Sequence, residues 1–175
     1  MPKKIWYAPN KFESYGEEEI KAVEECLRAG WLAGFGERTI EFEKRVSDYF
    51  GKKYGLFVNS GSSAILVGLC ALDLPKGSEV VTPACGFATT VAPLEQLGLK
   101  PVFCDVDLTS YVTTVEQLRR VVTPETKCLI LPNLIGNVPD WQAIREAFPG
   151  VILFEDSADT MTHTSCTDIS TTSFY

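Results

Sequence analysis

The sequence predicts an α/β domain, a mostly parallel sheet covered by helices. Short runs rich in Val, Ile and Leu recur along the chain without alternating apolar and polar residues, as strands buried on both faces do. Stretches of helical periodicity separate these runs, which is the pattern of βα units joined in series. The 175 residues are 45% hydrophobic and 22% charged, a composition that supports one buried core and excludes a disordered chain.

Taken in order, Ser14-Tyr15-Gly16-Glu17 has capping-box spacing, and Ile20, Val23 and Leu27 then recur at helical intervals up to Gly30. A glycine-rich turn, Gly34-Phe35-Gly36, leads to a second amphipathic stretch through Ile40, Glu43, Val46 and Phe50, which Gly51 ends. Tyr54-Gly55-Leu56-Phe57-Val58 reads as a buried strand and Ala64 to Leu72 as the helix after it. Glu79 to Thr82 is a strand, followed by a helix from Thr90 to Leu97 that Gly98 closes. The series continues with strand Pro101 to Asp105, helix Val115 to Val121, strand Cys128 to Pro132, helix Asp140 to Phe148 and strand Val151 to Asp156. The last segment, Ile169 to Tyr175, reads as a strand that stops on two aromatic residues, as in a truncated domain, because natural termini usually fray in polar residues.

Charge and composition narrow the function. The net charge is −7 and no basic run occurs, which excludes nonspecific nucleic-acid binding. No signal peptide follows Lys3 and Lys4, and no apolar run approaches the roughly 20 residues that span a bilayer, so a soluble cytoplasmic protein is expected. Six cysteines are scattered without a C-x-x-C pair, and the one histidine is His163. No metal site is expected from that set, and Cys26, Cys70, Cys104 and Cys128 read as small buried hydrophobes.

In an open parallel sheet, ligands bind beyond the carboxyl ends of the strands, which directs attention to four turns. Asn59-Ser60-Gly61-Ser62-Ser63-Ala64 suits either a phosphate cradle at a helix N-terminus or an ordinary cap. Phe87, in a stretch of small residues before a helix, could cover a flat ligand or belong to the core. Glu155, Asp156 and Asp159 follow a hydrophobic strand, where partly desolvated carboxylates need a cation. A protonated ring nitrogen or magnesium would serve, and a solvated loop is the plain alternative. The hydroxyls of Thr171-Thr172-Ser173 could complete a phosphate site or simply decorate a strand.

In their order and spacing these segments resemble the fold-type I pyridoxal-phosphate enzymes of the DegT group, the sugar aminotransferases and their 3-dehydratase relatives. The resemblance runs through Gly30-Trp31-Leu32-Ala33-Gly34, Asn59 to Ala64, Gly86-Phe87-Ala88-Thr89-Thr90, Pro101 to Asp107, Gly136-Asn137, Glu155-Asp156 and Ser173-Phe174-Tyr175. It implies that residues 1–175 are an incomplete cofactor-binding large domain, truncated at its C-terminus and lacking a C-terminal small domain. It further implies that Gly61, Ser62, Ser63 and Ser173 hold the phosphate of pyridoxal or pyridoxamine phosphate, that Phe87 stacks on the ring, and that Asp156 pairs with the ring nitrogen. Asp159 stands near the ring hydroxyl, where aminotransferases usually carry Gln.

The family's catalytic lysine, or the histidine that replaces it in 3-dehydratases, falls beyond Tyr175, so no catalytic residue is expected in this chain. Lys100 and Lys127 flank strand starts, Lys76 lies in a loop, and His163 reads as a surface residue. The activity implied is aminotransfer to a nucleotide-linked keto-deoxy sugar, with a nucleotide-sugar 3-dehydratase or a non-catalytic binding fragment as alternatives. A nucleotide-linked keto sugar and an amino donor are the expected partners, in a homodimer.

Overall fold

The computed structural model describes residues 15–163 and 166–174, so the cap expected at Ser14 lies outside the described residues. The chain divides into two compact units, Met1–Phe42 and Glu43–Tyr175.

In the first unit, helix α1 spans Glu17–Ala29 and begins at Gly16, whose amide donates to Glu19 Oε2 at 2.7 Å. Glu17, Glu18 and Glu19 favour its N-terminus through the helix dipole, and Gly30 closes it in the left-handed region at φ 74°. Ile20, Val23 and Leu27 form the expected periodic face, but no residue of α1 is buried. Trp31, Leu32 and Phe35 in the following loop are also exposed. Helix α2, Glu37–Tyr49, crosses from one unit into the other.

The second unit is a five-stranded parallel sheet. Its elements are α3 (Gly61–Ala71), β1 (Glu79–Pro83), α4 (Ala88–Gln96), β2 (Lys100–Cys104), α5 (Val115–Arg119), β3 (Thr126–Pro132), α6 (Trp141–Ala147), β4 (Ile152–Ser157) and β5 (Ile169–Thr172). The strand order is β2-β1-β3-β4-β5, every neighbouring pair parallel. Burial on both faces explains the continuous apolar runs. Val80, Ile130 and Phe154 face α3 and α4, packing with Ile65, Leu69 and Leu94. Val81, Leu129, Leu131 and Leu153 face α5 and α6, against Leu118, Trp141 and Ile144.

Two expectations are corrected. Tyr54–Val58 is not a strand: Tyr54, Leu56 and Phe57 are exposed, and no strand among the described residues pairs with the segment. The amide of Phe57 donates instead to Glu43 Oε1 at 2.8 Å. Cys70 is exposed and Cys26 is half-buried, whereas Cys104 and Cys128 are buried as expected. Cys70 lies on α3, but on the side turned away from the sheet core that Leu69 enters.

Candidate functional site

The strand order reverses direction between β1 and β3, since the chain steps from β1 to β2 on one side and from β3 to β4 on the other. Such a switch point opens a crevice at the carboxyl ends of the strands. A cavity of about 160 Å³ lies there, lined by Thr82, Pro83 and Ala84 of the β1 end, by Gly86, Phe87 and Thr90, and by Pro132 at the end of β3. Thr82 Oγ1 is buried at this cavity and makes no hydrogen bond among the described residues. Phe87 is the residue before α4 and is 71% exposed, so the core reading of its ring is excluded.

Asp156 lies beside Pro132 in the β3–β4 register, on the sheet face that carries α4. Its side chain is 4% exposed. Thr90 Oγ1 donates to Asp156 Oδ2 at 2.8 Å and the Ala158 amide to Oδ1 at 3.2 Å. Burial raises its carboxyl above the ordinary value, the two hydrogen bonds lower it, and the charge of Asp159 raises it again. A cation placed against this oxygen pair would relieve the desolvation that raises it.

On the same edge, α3 packs beside α4 and β5. Ser60 Oγ caps α3 by accepting from the Ser63 amide at 3.1 Å and donating to Ser63 Oγ at 3.1 Å. The first amides of the helix, at Gly61 and Ser62, have no carbonyl one turn before them and point at whatever approaches the terminus. Ser173 follows β5 and sits against this end: a Cβ added at Gly61 would lie 3.2 Å from Ser173 Cβ and 3.6 Å from its Oγ. The neighbouring threonines do not join it. Thr171 Oγ1 donates to the Glu155 carbonyl at 3.4 Å and Thr172 Oγ1 to the Ser157 carbonyl at 3.0 Å.

The acidic trio does not converge. Strand alternation puts Asp156 on the α4 side and Glu155 on the other, buried among hydroxyl groups. Asp159 is exposed on the loop after β4, its Oδ2 accepting from the Ile135 amide at 3.3 Å. Among the described residues, no three His, Cys, Asp or Glu side chains gather as metal ligands do. Lys76, Lys100 and Lys127 are exposed, Lys100 pairing with Glu79 at the opposite edge of the sheet. His163 is exposed, its ring 3.9 Å from that of Tyr49.

Four residues of this region escaped sequence reasoning: Thr90, Asn133, Glu155 as a buried acceptor, and Lys52. Lys52 Nζ donates to Thr167 Oγ1 at 2.8 Å and to the Thr167 carbonyl. Burial lowers its ammonium below the ordinary value, and the charges of Glu155 and Asp168 oppose that shift. The Gly51-Lys52-Lys53 context reads as solvated turn, so only the fold exposes the role.

Comparison with known proteins bears on the family and the fold. The profile of the DegT/DnrJ/EryC1/StrS aminotransferase family matches residues 13–175. The chain is 32% identical over 161 residues to a GDP-4-keto-6-deoxy-D-mannose 3-dehydratase of Yersinia pseudotuberculosis, covering 87% of this chain and 41% of that protein. It is 34% identical over 147 residues to a dTDP-4-dehydro-2,3,6-trideoxy-D-glucose 4-aminotransferase of Saccharopolyspora spinosa, covering 82% and 38%. The fold matches the Escherichia coli GDP-4-keto-6-deoxy-D-mannose-3-dehydratase solved with bound hydrated PLP, with a TM-score of 0.80, 33% identity, and coverage of 85% of this chain and 40% of that one. The chain thus spans about two fifths of the length of these relatives. No helix among the described residues is long and apolar enough to cross a membrane.

Proposed function

Because the chain belongs to the DegT/DnrJ/EryC1/StrS aminotransferase family, we propose that its sheet edge binds pyridoxal or pyridoxamine phosphate for aminotransfer to a nucleotide-linked keto-deoxy sugar. The observation that carries this reading is the buried carboxyl of Asp156 at the switch point, beside a cavity rimmed by the exposed ring of Phe87. The cradle fits the cofactor in two further respects. Thr82 offers a buried hydroxyl without a partner among the described residues, and Gly61 leaves open the space that any side chain would take from Ser173.

Asp156 is assigned to the ring nitrogen, whose protonated form its carboxylate holds, and Phe87 to the ring face. The amides of Gly61 and Ser62 and the hydroxyls of Ser62, Ser63 and Ser173 are assigned to the phosphate, at the positive end of the α3 dipole. Asp159 is assigned to the side of the ring hydroxyl. The cofactor supplies an electron sink for the carbon that loses a proton. Residues 1–175 are assigned to the cofactor-binding large domain, and no catalytic residue is assigned among them. The substrates assigned are the nucleotide-linked sugar and an amino donor, used in the cytoplasm. A homodimer is proposed because Trp31, Leu32 and Phe35 stand in solvent. Sedimentation of the full-length protein at the mass of one chain would overturn it.

Loss of the sugar 3-hydroxyl is a second reading, favoured by the 3-dehydratases among the relatives. Products separate the two. Given a nucleotide-linked 4-keto sugar and an amino-acid donor, a full-length aminotransferase returns a sugar carrying nitrogen. A dehydratase returns a ketone that has lost the 3-oxygen and gained no nitrogen.

The cofactor site itself is tested on the 175-residue chain by titration with pyridoxal phosphate. Saturable binding is expected, weakened on the order of tenfold or more in Gly61→Val, equivalent to about 1.4 kcal/mol or more. Wild-type chain that shows no saturation, or Gly61→Val that binds equally well, would remove the reading.

A further inference from the structure

Glu155 is wholly buried, yet nothing in the cofactor reading uses it. Its two oxygens divide their partners by place. Oε1 accepts from Asn133 Nδ2 at 2.7 Å, Ser157 Oγ at 2.9 Å and Thr162 Oγ1 at 2.8 Å. Oε2 accepts from Thr167 Oγ1 at 3.2 Å and Ser170 Oγ at 2.8 Å. The first set ties the carboxylate to the end of β3, to β4 and to the loop after it. The second set ties it to β5 and the turn leading into it. Asn133 is fixed in turn, accepting from Trp141 Nε1 at 3.1 Å and donating its amide to the Asp156 carbonyl at 2.8 Å.

Strand β5 is four residues long and, among the described residues, pairs with β4 alone, so few ladder hydrogen bonds fix it. Side-chain hydrogen bonds are electrostatically stronger in a buried setting than in water, and a fully satisfied network there fixes geometry firmly. Ser170 lies opposite Glu155 in the β4–β5 register, three residues before Ser173. Ser173 is the residue that meets the N-terminus of α3 at Gly61.

We propose that Glu155 is a positioning residue, whose Oε2 holds Thr167 and Ser170 so that β5 delivers Ser173 to the phosphate-binding end of α3. The proposal rests on the cofactor reading above and adds a residue that touches no part of the ligand. It divides the carboxylate into two functions: Oε2 serves the phosphate side of the site, and Oε1 serves the loop that carries Asp159.

The division is what the experiment reads. The chain is titrated with pyridoxal phosphate and with pyridoxal, and the ratio of the two affinities reports the phosphate contribution alone. Ser170→Ala and Glu155→Gln are expected to shrink that ratio on the order of tenfold, the equivalent of about 1.4 kcal/mol. Thr162→Val, which removes a donor to Oε1 with little change of shape, is expected to leave the ratio as in the wild type. A merely structural role would lower both affinities together. An unchanged ratio in both Ser170→Ala and Glu155→Gln, or an equal fall in Thr162→Val, would therefore overturn the proposal.

Hydrogen exchange at residues 169–174 provides a ligand-free arm, in which Ser170→Ala is expected to exchange faster than Thr162→Val. Ser170→Ala leaves the Glu155 side chain itself unaltered, so the test survives if Glu155→Gln does not fold. If the wild-type chain bound no pyridoxal phosphate, the cofactor reading would fall by itself. The exchange arm would then decide whether Glu155 fixes β5, and equal exchange in the two variants would overturn that as well.

Discussion

Under the proposed pairing of Asp156 with the ring nitrogen, Asp156→Asn is expected to cut turnover of the full-length protein by about a hundredfold or more, because removing one partner of a buried charge pair costs about 3–5 kcal/mol. The substitution preserves shape and both local contacts. An amide oxygen still accepts from the Ala158 amide, and its NH₂ can donate to Thr90 Oγ1, which rotates to accept. Under the proposed assignment, what it removes is the charge that would hold a proton on the ring nitrogen. Stability should move the opposite way. Burial raises the Asp156 carboxyl, so the folded chain binds a proton there more tightly than the unfolded chain does. This group's favourable contribution is complete below its unfolded pKa and is lost as pH rises through the raised folded value. Without cofactor, Asp156→Asn and wild type should therefore melt alike in acid. Above the raised pKa the variant should melt higher. Near-normal turnover, or a variant less stable than wild type at neutral pH, would contradict the assignment.

The second large effect concerns the core beneath the site. Phe154→Ala is expected to destabilise the fold by about 3–5 kcal/mol, measured by denaturant unfolding. Phe154 is the largest of the fully buried side chains among the described residues and packs under α3, where Gly68 leaves room for its ring. A Cβ at Gly68 would come within 2.8 Å of Phe154 Cζ. Gly68→Ala alone should thus cost about 1–3 kcal/mol through overpacking. Combined with Phe154→Leu, its cost should shrink, because the two changes share one space. Strict additivity would mean that the ring and the glycine do not compete.

The parallel sheet was legible because burial on both faces leaves continuous apolar strands, and β1, β3 and β4 appear in the sequence as little else. The same signal misled at Tyr54–Val58, since an apolar run records what a strand would bury and not whether a neighbour exists to pair with it. Of the candidate site residues, Gly61 and Ser173 lie far apart in the sequence and are joined there only by the family resemblance, and the fold brings them into contact. Phe87 could not be placed from sequence, because a ring before a helix suits a core as well as a crevice. Glu155 was grouped with Asp156 by adjacency, yet adjacent residues on a strand face opposite ways. Its donors include Asn133, Ser157, Thr162, Thr167 and Ser170, common residues in polar stretches whose shared acceptor emerges only when β3, β4 and β5 align.

The strand order also governs how the domain can be assembled. No neighbouring strands are joined by a hairpin, so every pairing must wait for a crossover to close. The central pairing joins Val80 to Cys128, a loop of about 50 residues whose closure entropy must be met before its contacts return anything, which places such sheets among slow folders. During synthesis β1 and β2 can pair while β3 is still emerging. The crevice between β1 and β3 then forms only when the later strand docks against the far side of β1. The cavity at Thr82 and Pro132 is thus a product of the later docking step, and its appearance would report that the two halves of the sheet have met.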